Sequence, residues 1–399
     1  MSDPEWPAIT YETVDWEPAT EYAVMSRRDR RRQAGPYPAA IPERISSRDL
    51  NLPDEVAGLA DEASAELARF DAELGNEIAP FASVLLRSES AASSQIENLS
   101  ASARAIAEAE LGDPSRRNAT KIVANTRAMD AAIALAEDLL PASILAMHGA
   151  LLEVTDPDIA GRWRDQPVWI GGSNVSPHGA AFIPPHHSRV EPAIQDLVNF
   201  MARDDIPVLS QVAVAHAQFE TIHPFPDGNG RTGRALLQAM LRNKGLTRNV
   251  TVPISAGLLV DTDSYFAALN DYRTGDPTQI VQRMSEAAFP AVGNGRELVA
   301  ELRAIRAGWN EQMAARRDSR VWQLADLLIR HPVVNADLVA RELGIFTSNV
   351  YRLIEPLEDA GIIIGLDNKV RNRIWRSPEV LAALDAFAAR AGRRVAGRA

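Results

Sequence analysis

Three features of the chain predict a mainly α-helical fold. Apolar residues recur at helical spacing through most of residues 50–290, extended character is confined to 163–186, and three short helical stretches followed by an alternating pair lie near the end. A doubly wound sheet or a barrel would need strands repeated along the chain, and this pattern has none.

Residues 1–45 mix prolines, aromatics and scattered charge, and read as an irregular arm anchored by Trp6, Trp16, Tyr22 and Tyr37. Arg27, Arg28, Arg30, Arg31 and Arg32 suit a phosphate patch or a solvated turn, the turn being the simpler reading. From Leu52 to Phe81, Ala and Leu repeat as in a helix or a helical pair, with Pro80 near its end. Helices follow over about 100–110, 116–139 and 142–153. Trp163, Trp169-Ile-Gly-Gly172, Gly179 and Phe182 to Pro185 then describe two short extended pieces around a glycine-rich turn. Their strands are placed at Val168, Trp169, Ile170 and at Ala181, Phe182, Ile183. Helices resume over about 190–202, 208–221 and 231–243.

The 399 residues are 46% hydrophobic and 24% charged, as in an ordinary globular protein long enough for more than one domain. With no cysteine, disulfides, thiolate catalysis and thiolate zinc sites are excluded, which fits a reducing cytoplasmic setting. Acidic residues at 3, 5, 12, 15, 17 and 21, without an apolar block, give no secretory signal, and no later stretch has the length of an uncharged membrane span. A formal net charge of −11 argues against a chain-wide nucleic-acid surface.

The chemistry is concentrated in His223-Pro-Phe-Pro-Asp-Gly-Asn-Gly-Arg-Thr-Gly-Arg234. The apolar helix before it should end at Pro224 and Pro226, since proline lacks an N–H and restricts its predecessor. A second helix begins near Arg231, so Gly228, Asn229 and Gly230 fall where unpaired N–H groups can surround a phosphate. Arg231 and Arg234 share a face of the first turns and can clamp further phosphate oxygens. Asp227 suits Mg²⁺, and His223 is the candidate general base. Adjacent His186 and His187 project to opposite faces and lack a third histidine at metal-like spacing, so they read as surface residues.

This run resembles, position by position, the Fic family signature H-x-F-x-[D/E]-G-N-G-R-x-x-R. The resemblance implies a protein adenylyltransferase that moves AMP from ATP to a Ser, Thr or Tyr hydroxyl of a target protein, with ATP and Mg²⁺ required. It implies His223 as base, Asp227 as metal ligand, Asn229 and the flanking amides as the α-phosphate site, and Arg234 as a clamp on the terminal phosphate. Phe225 becomes a core anchor for the loop, and the 163–186 hairpin a flap that aligns the target segment by β-augmentation. A phosphotransferase branch carries lysine where Gly228 stands, which disfavours that chemistry here.

Upstream, Ser93-Ser-Gln-Ile-Glu97-Asn98 reads by itself as the capped start of a short helix. It also resembles the family's inhibitory pattern [S/T]-x-x-x-E-[G/N], matched by Ser93, Glu97 and Asn98. That resemblance implies a pairing of Glu97 with Arg234, which keeps the arginine from the γ-phosphate, and in some relatives the same glutamate orients a water for removal of AMP.

Glu301 to Arg320 alternates charge and alanine as an exposed connecting helix would. Helices from Val321, from an Asn335 cap to Leu343, and from Thr347 or Ser348 to Leu357 precede a hairpin of Ile362–Gly365 and Val370–Trp375 around Asp367-Asn368. The order resembles a winged helix-turn-helix, with Thr347, Ser348, Asn349 and Arg352 opening the recognition helix and Lys369, Arg371 and Arg373 on the wing. Such modules read DNA, bind proteins or dimerise; DNA is the less favoured partner in so acidic a chain, and homo-oligomerisation stays open. The expected division is an arm at 1–45, a Fic-type domain at 46–295, a connecting helix at 296–320, the winged module at 321–378, and a helix and tail at 379–399. A DNA-binding regulator with a nucleotide-sensing body is the alternative reading.

Overall fold

The computed structural model describes residues 6–16, 34–75, 78–172, 175–313, 319–366 and 373–392. They are mainly helical and divide into two compact units, the first from 1–61, 131–244 and 263–284, the second from 62–130, 245–262 and 285–399. The Arg27–Arg32 cluster, Tyr22, Lys369 and Arg371 lie outside the described residues.

In the first unit, strands β1 (Thr10–Val14) and β2 (Tyr37–Ile41) pair antiparallel, Thr10 opposite Ile41 and Val14 opposite Tyr37. The arm is therefore not irregular throughout. Thr-Tyr-Glu-Thr-Val has the β-branched, alternating character of a strand, but its partner is too distant in sequence for a hairpin signal. Trp16 meets Tyr37 edge to face at 6.1 Å and Trp169 at 5.6 Å, while Trp6 lies 6.1 Å from Tyr272. The expected flap strands shrink to one antiparallel bridge, Ile170 with Phe182. The next residue, Ile183, turns its carbonyl to the N–H of Ala40 at 3.0 Å, so β2 lies beside the flap.

The unit's core is a layer of helices. Among its elements, α5 (Pro141–Leu152), α6 (Val190–Met201), α7 (Val208–Ile222) and α8 (Asn229–Asn243) pack in succession. Residues 209–222 of α7 are all buried, including the polar Gln211, His216, Gln218 and Glu220, which a buried helix can carry only where they find partners. Helix α10 (Thr262–Arg273) closes the unit on this layer, with Tyr265 donating to or accepting from His216 Nε2 at 2.8 Å.

In the second unit the stretch from Leu52 to Phe81 takes the paired form of its two readings, α1 (Asp54–Glu73) and the start of α2 (Ile78–Ile96), the former starting within the first unit. Pro80 opens α2 instead of ending a helix, because a missing N–H costs nothing in the first turn. After α3 (Ala103–Glu110), α4 (Arg117–Ala134) and α9 (Ile254–Leu259), the 35-residue α11 (Thr278–Gln312) runs unbroken past 295 with Pro290 inside it. Helix α2 packs against α9, α12 (Arg320–Arg330) and α15 (Pro378–Ala391).

Helices α12, α13 (Ala336–Leu343) and α14 (Thr347–Asp359) pack on one another beside a three-stranded antiparallel sheet. Its strands are β3 (Val333–Asn335), β4 (Ile364–Gly365) and β5 (Ile374–Arg376), in the order β3-β5-β4. Asn335 caps α13, its Oδ1 accepting from Leu338 N at 2.8 Å. Thr347, Ser348, Asn349 and Arg352 are exposed. Arg373 is turned back on α14, 3.0 Å from Glu358 and over the ring of buried Trp375.

Candidate active site

Helix α7 ends where proline forces it to end. His223 takes φ 50° and ψ 62°, a left-handed conformation, and its N–H still reaches Phe219 O at 2.9 Å. For a residue with a Cβ this costs about 1–2 kcal/mol, so the surroundings must hold it. Arg164 does so: its Nε donates to His223 O at 2.8 Å, and its backbone N–H to Pro224 O at 3.0 Å.

The loop beyond is built around Phe225, which is fully buried. His148 of α5 stacks on it with ring centroids 3.7 Å apart and planes 4° from parallel, and Trp163 lies at 5.0 Å. Gly161 N donates to His148 Nδ1 at 3.0 Å, which makes Nε2 the protonated nitrogen and the donor to Asp227 O, also at 3.0 Å. Burial pushes the His148 imidazole down to about 4, so this neutral tautomer persists.

Asn229 faces inward. Its Oδ1 accepts from Phe225 N at 2.9 Å and its Nδ2 donates to Phe225 O at 2.8 Å, so its side chain closes the loop. Gly228, the residue before α8, has φ 81°, and a Cβ there would sit 2.9 Å from Leu151 Cδ2. Any side chain would be both strained and crowded. The first N–H groups of α8 lack intrahelical acceptors, as at every helix start. They lie beside Asp227, whose side chain is 55% exposed and accepts from Gly228 N through Oδ1 at 2.7 Å. Arg231 approaches Asp227 Oδ2 at 3.6 Å. Arg231 and Arg234 are themselves buried, at 4% and 1% exposure.

His223 Nδ1 is buried, with Glu220 Oε2 3.8 Å away, while the side chain keeps 19% exposure elsewhere. Burial, then the positive charges of Arg273 and Arg164, hold the imidazole down at about 3. A ring neutral at ordinary pH, with the acidic Glu220 on the Nδ1 side, presents Nε2 as a proton acceptor.

The flap residues are placed beside this site within the same unit. Phe182 and Ile183 are buried, Val168, Trp169 and Ile170 half-buried, and Ala181 exposed. The Arg273 guanidinium lies 3.7 Å from the centre of the Phe182 ring and donates to Glu220 O at 3.3 Å. Sequence reasoning missed Arg164, His148 and Arg273. Arg164 and His148 stand in Trp-Arg-Asp and Met-His-Gly contexts that mark nothing locally, and only the fold assembles the three.

Ser93, Glu97 and Asn98 belong to the second unit and are not a helix start. Ser93 is buried inside α2, and Glu97 and Asn98 form its exposed end. Asn98 takes φ 60°, with Asn98 N donating to Gln95 O at 2.9 Å and Leu99 N to Ser94 O at 3.0 Å. This is the Schellman closure, which needs a left-handed residue and explains a glycine or asparagine after the glutamate.

Residues 138–241 match the Fic/DOC family model. The chain is 46% identical over 69 residues to a probable protein adenylyltransferase, aq_aa38, of Aquifex aeolicus, covering 17% of this chain and 22% of that one. It is 30% identical over 146 residues to the protein adenylyltransferase fic-1 of Caenorhabditis elegans, covering 36% and 26% respectively. The matches thus span about a quarter of each relative's length. A Fic family protein from Desulfovibrio desulfuricans G20 shares the fold with a TM-score of 0.51 at 20% identity, over 82% of this chain and 97% of that structure. Among the described residues, no helix is long and apolar enough to cross a membrane.

Proposed function

We propose that the protein is an adenylyltransferase that moves AMP from ATP to a Ser, Thr or Tyr hydroxyl of a target protein. The geometry that carries this reading is His223 held in a left-handed turn by Arg164, in the loop that leads directly into the Gly228 turn and the start of α8. Nε2 of His223 takes the hydroxyl proton as the oxygen bonds to the α-phosphorus, and the bond to pyrophosphate breaks. The N–H groups opening α8 stabilise charge gathering on the transferred group. Asp227, an exposed carboxylate beside those amides, fits Mg²⁺, a hard cation that takes one or two carboxylates and fills its shell with phosphate oxygens and water. When bound, that ion would neutralise phosphate charge. Arg231 and Arg234 would meet the outer phosphates, and the 168–170 and 181–183 segments would align the target.

Glu97 is read as the inhibitory carboxylate acting on Arg234, and a role in removing AMP belongs to the same reading. The test is transfer of label from α-labelled ATP to lysate proteins by the native chain, Glu97→Gly and Glu97→Gly/His223→Ala. Labelling by Glu97→Gly, stronger than by the native chain and absent without His223, supports the assignment; none in any, or equal labelling in all, removes it. Transfer of γ-label alone would instead mark a phosphotransferase.

The exposed start of α14 supports a second reading for the C-terminal elements as a docking module for DNA or protein. Salt-dependent, sequence-specific retention of duplex DNA, weakened by Arg352→Ala, would favour a regulator, whereas no retention would leave protein targets.

A further inference from the structure

The proposed reaction needs the base and the target-aligning flap held in one frame, and one buried side chain touches both. Arg164 is 3% exposed. Besides the His223 carbonyl, its guanidinium donates through Nη1 to Gln166 O at 3.2 Å, and through Nη2 to Pro185 O at 2.5 Å and Ile222 O at 3.4 Å. Gln166 and Pro185 are the roots of the two flap legs, and Ile222 to Pro224 is the turn that carries the base.

We infer that Arg164 is a positioning residue that locks the roots of the flap to the His223 turn, so that the aligned hydroxyl and the accepting nitrogen keep a fixed relation. The inference rests on the adenylyltransferase reading. A buried cation is expensive to desolvate and needs all its donors engaged. The oxygens that Arg164 meets are backbone carbonyls, so what the charge secures is the geometry of those carbonyls. An apolar side chain would fill the volume without that cost and without the tie. The planar fork matters, because a lysine cannot reach several fixed carbonyls in diverging directions. The charged groups facing His223 are Arg164 from the flap root, Arg273 from α10, Glu220 from α7 and Asp227 from the loop.

The test compares Arg164→Gln and Arg164→Lys in the full Glu97→Gly chain. With α-labelled ATP, the glutamine variant should lose about 100-fold in turnover, the scale expected when reacting groups shift by about 1 Å. Its ATP affinity, measured calorimetrically with Mg²⁺, should stay within about twofold, since Arg164 meets no predicted nucleotide group. A readout independent of activity is the His223 imidazole ¹⁵N spectrum, assigned by its loss in His223→Ala. In the parent the ring should stay neutral from about pH 8 to 5. In Arg164→Gln it should change environment and protonate at higher pH; in Arg164→Lys it should stay neutral while turnover remains low. Should the glutamine variant fail to fold, the lysine variant decides alone: parent-like turnover would overturn the inference. Unchanged turnover and an unchanged spectrum in a folded Arg164→Gln, or parallel losses of ATP affinity and turnover, would also overturn it. If the parent transfers no AMP, the reaction assignment fails by itself, and the spectrum still decides whether Arg164 sets the His223 turn.

Discussion

Among the described residues, the two non-glycine residues with positive φ are Asn98 and His223, and each ends a helix at a predicted functional position. Asn98 is exposed, closes α2 through hydrogen bonds of its own backbone, and belongs to a residue type that enters the left-handed region cheaply. His223 lies at the end of a helix buried from Leu209 to Ile222 and has its carbonyl fixed by a buried arginine 59 residues upstream. The first is a local device that any Asn or Gly can perform. The second depends on the whole fold of its unit, as the proposed general base would require.

The largest contrast is expected in turnover. In the Glu97→Gly chain, His223→Ala should lower AMP transfer by about 10²–10⁴-fold, the usual worth of a general base, with ATP binding intact. Asn98→Gly in the native chain should leave the stability of α2 unchanged. A loss below about tenfold at His223 would place the proton transfer elsewhere.

Stability against pH sharpens the same contrast. His223 and His216 both sit at about 3, below their ordinary value of 6.5, chiefly through burial. The unfolded chain therefore binds protons first as pH falls. Their contribution is fully present above about pH 6.5 and is lost as pH drops toward 3, each histidine adding a slope that approaches about 1.4 kcal/mol per pH unit. Urea unfolding at pH 7 and 5 measures this, and the His216→Asn/His223→Asn chain should show a flatter profile. Equal slopes would contradict the buried, neutral rings.

Removal of the proposed inhibition by Glu97 should come next. Glu97→Gly is expected to raise transfer by about 5- to 150-fold, the range of ordinary couplings between sites. Adding Arg234→Ala should return it to a low level, because releasing Glu97 cannot replace a phosphate clamp. Equal rates for native and Glu97→Gly chains would remove Glu97 from regulation and leave His223 in place. The smallest effect belongs to Asn98 itself: Asn98→Val should cost about 1–2 kcal/mol in urea unfolding, and Asn98→Gly a few tenths at most.

Much of the site was legible because its residues are contiguous. Pro224 and Pro226 announced the end of α7, and Gly228 and Gly230 the turn into α8. The helical periods of α5 to α8 were legible for the same reason, since local spacing encodes them. What escaped required distant partners: β1 with β2, Arg164 with the His223 turn, and His148 under Phe225. The Ser93–Asn98 segment misled because Ser followed by Glu resembles a capping pattern, whereas tertiary packing had already carried α2 through it. The inward side chain of Asn229 was hidden as well, since a loop amide can serve a ligand or its own backbone with the same sequence around it.

The central claim is that the His223–Arg234 run transfers an adenylyl group to protein hydroxyls. Its most direct test is peptide mass spectrometry of source-cell proteins after incubation with ATP, Mg²⁺ and the Glu97→Gly chain. AMP is expected on Ser, Thr or Tyr side chains, absent when His223→Ala is added. Peptides carrying only phosphate, or AMP that persists without His223, would contradict it.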